Sequence, residues 1–447
     1  MQFKTINPIN NQLSVSFPML SEIELNTCIE SSHNAFKDWK YLPASDKKSL
    51  LEALSASIEK DASDCARLIT EEMGKPLAES IAEVKKCADL CAFYATHFEQ
   101  FLAPQQLNER AVVYYEPLGI ILGIMPWNFP FWQVFRFAIP ALLAGNTVLL
   151  KHAPNTPQCA IRIASFFQKA GFPSAIFQSI FVGIDQVESI IANPYVQGVS
   201  LTGSTVAGQS VAMLAGKYLK KCVLELGGND AFLITKNSNV DKVVEKAVQA
   251  RCRNNGQSCV AAKRFIVDHE VYDMFKAKLI EALHHLKIGN PNEAVNTNGP
   301  LARRDLFEKV LGQIELLKQK NATLVFELQN HSNMENVIAP AIWEVDEIFD
   351  DEIFAPIFLL YKSRNIHEMI DLTNQSKYGL GTSIWTTDTE EAAMLSSQIH
   401  TGMVYINEIV YSDPSLPFGG IKHSGLGKEL GQDGIKEFTN QKLIFTK

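Results

Sequence analysis

Two residues in this sequence have the chemistry to make and then break a covalent bond. Cys259 closes the run Asn255-Gly256-Gln257-Ser258-Cys259. A thiolate is a strong nucleophile even when only a small fraction of the thiol is ionised. The preceding glycine and small serine let the backbone approach a ligand closely. Glu225 opens the run Glu225-Leu226-Gly227-Gly228-Asn229-Asp230. A carboxylate beside Leu226 and two glycines can be partly desolvated, which raises its pKa toward that of a useful general base. Judged alone, Cys259 could be a buried structural thiol, and Glu225 a helix-capping or ion-paired acid.

With four further runs, these two segments resemble the aldehyde dehydrogenase superfamily over almost the whole chain. The runs are Pro126-Trp127-Asn128-Phe129-Pro130, Thr202-Gly203-Ser204, Glu352-Ile353-Phe354-Ala355-Pro356 and Pro417-Phe418-Gly419-Gly420. The resemblance implies an α/β fold: two α/β domains with parallel sheets plus a small β oligomerisation element. It implies that Cys259 attacks an aldehyde carbonyl, and that the Asn128 side chain and the Cys259 N–H hold the oxyanion. Glu225 would then activate water to hydrolyse the thioester. The acyl-CoA-forming branch typically lacks this glutamate and has no need of it.

For the cofactor, the resemblance implies NAD or NADP. No G-x-G-x-x-G follows the first strand of the sheet, so the common dinucleotide fingerprint is absent. Instead Gly203-Ser204-Thr205 follows a strand and opens a helix, where main-chain N–H groups can face a phosphate. Lys151 would bind the adenine ribose and Glu352 the nicotinamide ribose. Trp127 and Phe354 would complete the cofactor site. Many NAD-using relatives carry a Glu shortly after this lysine that repels a 2′-phosphate. Here Pro154 stands there, so both cofactors are expected, with a slight lean to NAD.

Substrate choice is implied by Arg136 and Arg253. Many relatives carry apolar residues at both positions. Arginine at both resembles bacterial succinate-semialdehyde dehydrogenases, where the pair grips the distal carboxylate. Guanidinium suits that task because it binds carboxylate bidentately. Ser412 and Phe418 join the expected substrate site. The alternatives are glutarate semialdehyde, an aromatic aldehyde, an acyl-CoA-forming enzyme, or a non-catalytic binding protein that keeps the fold. Ala261 leaves no neighbouring cysteine for a Cys-x-Cys disulfide.

These residues need elements to position them. Ser21–Lys40, Asp46–Met73 and Leu77–Leu102 read as helices, with the break at Met73-Gly74-Lys75-Pro76. From Gly119 onward, short apolar runs at Gly119–Met125, Thr147–Lys151, Gln178–Val182, Gln197–Thr202 and Cys222–Leu226 alternate with helical stretches. That alternation predicts a parallel sheet covered by helices. A second α/β unit is expected after Asp230, with a helix at Val240–Arg253 and strands at Arg264–Val267, Ile357–Tyr361 and Gly381–Trp385. Residues 107–117 and the tail alternate like edge strands that could pair with another subunit. The expected division is 1–106 with 118–225 for the dinucleotide and 226–402 for the nucleophile. Residues 107–117 and 436–447 would serve oligomerisation, and 403–435 would return to the cofactor domain and form a substrate-tunnel loop.

Bulk properties agree with a large globular enzyme. The chain has 447 residues, 46% hydrophobic and 20% charged, ordinary for such a protein. Its net charge of −8 gives no global attraction for nucleic acid or anionic membrane. Eight cysteines are too few for a disulfide scaffold and lack paired metal spacing, so no metal is expected. A reducing cytoplasm is the expected setting. The N-terminal residues lack a signal-peptide pattern, and no apolar run reaches membrane-spanning length. A homodimer or homotetramer is expected.

Overall fold

Ile120–Met125 and Thr147–His152 are almost entirely buried along their length, as strands covered on both faces must be. They pair in parallel at the centre of a sheet ordered Lys221–Glu225, Val196–Thr202, Ile120–Met125, Thr147–His152, Phe177–Ser179. A short antiparallel strand, Gly425–Leu426, closes the edge beside Glu225. The computed structural model describes residues 3–447.

The second sheet holds seven strands. In order they are Thr323–Glu327, Ala341–Glu344, Ile357–Ser363, Arg264–Asp268, Ala231–Ile234, Gly381–Trp385 and Met403–Ile406. All pair in parallel except the first two. Met403–Ile406 still belongs to this sheet, so the unit runs past the boundary expected at 402. No helix among the described residues is long and apolar enough to cross a membrane.

Two N-terminal features depart from the expected all-helical reading. Phe3–Asn7 and Gln12–Phe17 form an antiparallel hairpin. The stretch expected as one helix over Asp46–Met73 is two, Ala44–Lys60 and Ala62–Met73, broken at Asp61. Asp61 ends the first helix and pairs with Arg162 (3.4 Å) and Lys169 (3.1 Å) of another helix. Tertiary pairing at that point overrides a continuous helical pattern.

Segments 105–117 and 439–445 form a three-stranded antiparallel sheet, with Ala111–Pro117 between Gln105–Asn108 and Thr439–Phe445. The tail strand therefore pairs within its own chain. Its outer residues Leu443, Ile444 and Phe445 stay exposed.

Helix Leu77–Phe101 contributes more than packing. Its Glu83 is buried, and one carboxylate oxygen accepts the N–H groups of Phe131 (2.9 Å) and Trp132 (3.0 Å). Those groups open helix Trp132–Leu143, whose first turns would otherwise leave donors unsatisfied in the core. Glu72 does the same for Gln158 and Cys159 (both 3.0 Å) at the start of helix Pro157–Lys169. The buried acids thus anchor the helices that follow the two central strands, and with them the loop carrying Asn128.

Candidate active site

The nucleophile sits just beyond an unusual turn. Helix Val240–Cys252 ends, and Asn254, Asn255 and Gly256 follow with φ of +54°, +55° and +75°. Asparagine is among the few residues that tolerate this left-handed region. Side-chain ties hold the turn. Asn254 Nδ2 donates to the carbonyls of Asn128 (2.7 Å) and Gln257 (3.0 Å), and its N–H donates to Glu79 (2.7 Å). Asn255 donates to the Gly74 and Pro300 carbonyls (3.0 Å each) and accepts the Gly299 N–H (2.8 Å). The Gln257 side chain accepts from the Ala302 N–H at 3.0 Å. A Cβ at Gly256 would collide with the backbone of Ala355 and Pro356. This frame sets Cys259 at the junction of a large cleft and a small cavity. Burial pushes its thiol up to about 12, against the pull of Arg136 and Lys263.

Asn128 is buried and oriented. Its side-chain oxygen accepts from Gln133 Nε2 (3.1 Å), and its Nδ2 points at the Gln257 carbonyl (3.1 Å). Two hydrogens sit on that nitrogen, so one remains for an oxyanion beside Cys259. Both residues line the same cleft.

Glu225 ends its strand with both carboxylate oxygens buried and without a hydrogen-bond partner in the protein. Burial holds its pKa far above the ordinary carboxylate range, Arg136 and Lys428 oppose the shift, and Glu429 adds to it. A buried carboxyl of this kind is the state expected of a base that awaits its substrate. Among the described residues Glu225 forms no ion pair, a point its isolated reading left open.

Arg136 is committed differently from the sequence expectation. Its guanidinium forms an ion pair with Glu429, donates to Thr202 Oγ1 (3.2 Å) and lies 4.6 Å from the Phe418 ring centre. It lines the small cavity, but an internal carboxylate already balances its charge. Both expected arginines therefore reach the cavity, one of them already ion-paired. Arg253 lines the same cavity and makes no ion pair among the described residues; its guanidinium lies 5.7 Å from the Phe129 ring centre. Ser412 and Phe418 complete this wall with Lys86, Trp132 and Tyr411. The cavity measures about 40 Å³.

On the other side of Cys259 lies a cleft of about 310 Å³. Of the expected cofactor residues, Trp127, Gly203, Ser204, Glu352 and Phe354 line it, whereas Lys151 is buried in its strand outside these walls. Ser204 caps helix Thr205–Lys217 by accepting the Ala207 N–H (3.3 Å), so its hydroxyl hydrogen stays free. Glu352 accepts the Gly228 N–H (3.0 Å) and faces Lys263 at 3.5 Å. A Cβ at Gly227 would run into that carboxylate, which explains a glycine there. Trp127 and Phe354 meet edge to face, with ring centres 6.0 Å apart. Near Lys151, the buried side-chain polar atoms of Asn155 and Ser179 have no protein partner. The helix N-terminus with Ser204, and Glu352 beside it in the same cleft, fit a phosphorylated dinucleotide.

Sequence reasoning missed Lys86, Gln133, Asn254 and Glu429. Only Asn254, directly before a quoted run, carried any local signal. Lys86 and Glu429 act across long sequence separations, and Gln133 sits inside an apolar helical run.

A thiol flanked by an orienting amide and a shielded carboxyl, opening onto a dinucleotide-sized cleft, defines a dehydrogenase that works through a thioester. The sequence pattern of the Aldehyde dehydrogenase family matches residues 1–444. A probable succinate-semialdehyde dehydrogenase [NADP(+)] of Synechocystis sp. is 41% identical over 454 residues, covering 100% of both chains. A succinate-semialdehyde dehydrogenase [NADP(+)] of Deinococcus radiodurans is 38% identical, covering 99% of this chain and 94% of that one. The crystal structure of succinic semialdehyde dehydrogenase from Streptococcus pyogenes in complex with NADP+ superimposes with a TM-score of 0.96 at 35% identity, covering 99% of each chain. The chain belongs to the aldehyde dehydrogenase family and is an NAD(P)-dependent oxidoreductase.

Proposed function

We propose that this enzyme oxidises succinate semialdehyde to succinate and prefers NADP. The observation that carries the substrate is Arg253, a cation without an ion-pair partner among the described residues, in a small cavity that also touches Cys259. Guanidinium binds carboxylate bidentately and so rewards an anionic tail. The cavity is narrow, about 40 Å³, and reaches from Arg253 to Cys259, which suits a short chain. The named relatives support the same substrate.

Each step has its residue. Arg253 and Ser412 orient the aldehyde by its far end. The Cys259 sulfur attacks the carbonyl carbon, and the remaining Asn128 N–H and the Cys259 main-chain N–H take the oxyanion. When bound, the dinucleotide supplies the nicotinamide ring that accepts the hydride. Glu225 then draws a proton from water, which attacks the thioester and frees the sulfur. Arg136 lies close enough to Glu225 to favour loss of its proton, while burial and Glu429 oppose that loss.

The slight lean to NAD drawn from Pro154 finds no support among the named relatives, which carry NADP(+) in their names. Lys151, with the unpartnered Asn155 and Ser179 nearby, favours a 2′-phosphate. The working particle is a homodimer or homotetramer joined through the exposed Thr439–Phe445 strand, in a cytoplasmic setting. Initial rates with succinate semialdehyde and with butanal, each under NADP and NAD, test the reading. A kcat/KM no higher for succinate semialdehyde than for butanal would overturn the substrate. A higher kcat/KM with NAD would overturn the cofactor.

A further inference from the structure

Helix Leu77–Phe101 turns Glu79, Glu83 and Lys86 toward the substrate end of the site; their spacing puts them on one helical face. The two acids are occupied. Glu79 accepts the Asn254 N–H (2.7 Å), and Glu83 caps helix Trp132–Leu143 while pairing with Lys75. Lys86 has no carboxylate within ion-pair distance among the described residues. Its ammonium donates to the carbonyl and hydroxyl of Ser412 (2.8 Å to the hydroxyl) and lies 4.0 Å from the Trp132 ring centre. Three hydrogens sit on that nitrogen, so one stays free, and the side chain lines the cavity that holds Arg253 and Cys259.

We propose that Lys86 is a specificity-determining residue that joins Arg253 in binding the distal carboxylate of the substrate. This rests on the substrate reading above and adds Lys86 to the cations that line that cavity. Lys86 also fixes Ser412 through two hydrogen bonds, so one ammonium sets both the charge and the loop that closes over the carboxylate.

The position makes recognition depend on pH. Burial, then Arg253 and Arg136, push the Lys86 ammonium down to about 7; Cys87 and Asp413 oppose this. The other ionisable groups facing the cavity are Glu83, Cys259 and Tyr411. A lowered amine pKa means Lys86 is charged below about 7 and neutral above it. Carboxylate affinity therefore falls as pH rises through that value, and carboxylate binding draws in a proton near neutrality.

The test compares kcat/KM for succinate semialdehyde and butanal in wild type, Lys86→Met, Lys86→Arg and Arg253→Ala, from pH 6 to 9. Lys86→Met should lower the ratio of the two at least about tenfold, a loss near 1.4 kcal/mol, and flatten its dependence on pH. Lys86→Arg should restore most of the ratio without the inflection near 7. Succinate, as a competitive inhibitor, should weaken in parallel. An unchanged ratio in Lys86→Met, with a lost ratio in Arg253→Ala, would overturn the role of Lys86 and leave the substrate reading standing. A wild-type ratio near one would overturn both.

Discussion

At the scale of single residues, the site is built around groups kept in their uncharged forms. Burial raises both the Cys259 thiol and the Glu225 carboxyl. A raised thiol pKa means the reactive thiolate grows with pH throughout the neutral range. Alkylation of the free enzyme at Cys259 by iodoacetamide should accelerate about tenfold per pH unit between 7 and 9. A rate that levels off below pH 8 would contradict a thiol displaced to about 12. Glu225→Gln removes the deacylating base, a contribution of about 100- to 10,000-fold. Turnover should fall by that order while the first hydride transfer persists. Intact mass spectrometry should then detect a covalent acyl adduct on Cys259. Coenzyme A should not rescue turnover.

At the scale of elements, strands and helices were legible where their periodicity is local. The helix read from Ser21 onward does begin there, where Ser21 and Glu24 form a full capping box in the structure. The central strands of the first sheet begin and end within a residue or two of the apolar runs that announce them. The short strands Ala231–Ile234 and Ala341–Glu344 were not legible, because four residues are too few to show a period of their own. In the site, Cys259, Glu225 and Asn128 were legible through their flanking motifs. Lys86 and Glu83 were not: a helical acid or base ordinarily faces solvent, and these turn inward because their partners lie far away in sequence. Their contribution can be measured. Glu83→Gln keeps the shape but weakens the charge that meets two helical N–H groups and Lys75. Removing one partner of a buried ion pair costs about 3–5 kcal/mol. The thermal midpoint should drop by several degrees, and Asn128, on the loop leading into that helix, should lose its fixed position, lowering kcat.

At the scale of the whole molecule, the tail strand returns across the chain to pair with Ala111–Pro117. Its exposed Leu443, Ile444 and Phe445 form an apolar edge that a solitary chain would leave in water. Ile444→Asp with Phe445→Asp should yield a smaller particle by light scattering than the parent enzyme. The same particle size in both would exclude this strand as the joint.

The left-handed turn ahead of the nucleophile separates two properties that usually travel together. Glycine in place of Asn255 can adopt the same backbone geometry, yet it severs the tethers to Gly74, Pro300 and Gly299. Alanine loses the tethers and also resists the geometry, at about 1–2 kcal/mol. Both variants should lose stability with the severed tethers, the alanine variant by about 1–2 kcal/mol more from backbone strain, so the glycine variant isolates what the tethers do for the rate. A sulfur atom that stays folded but wanders would measure how much of the rate comes from aim rather than from chemistry.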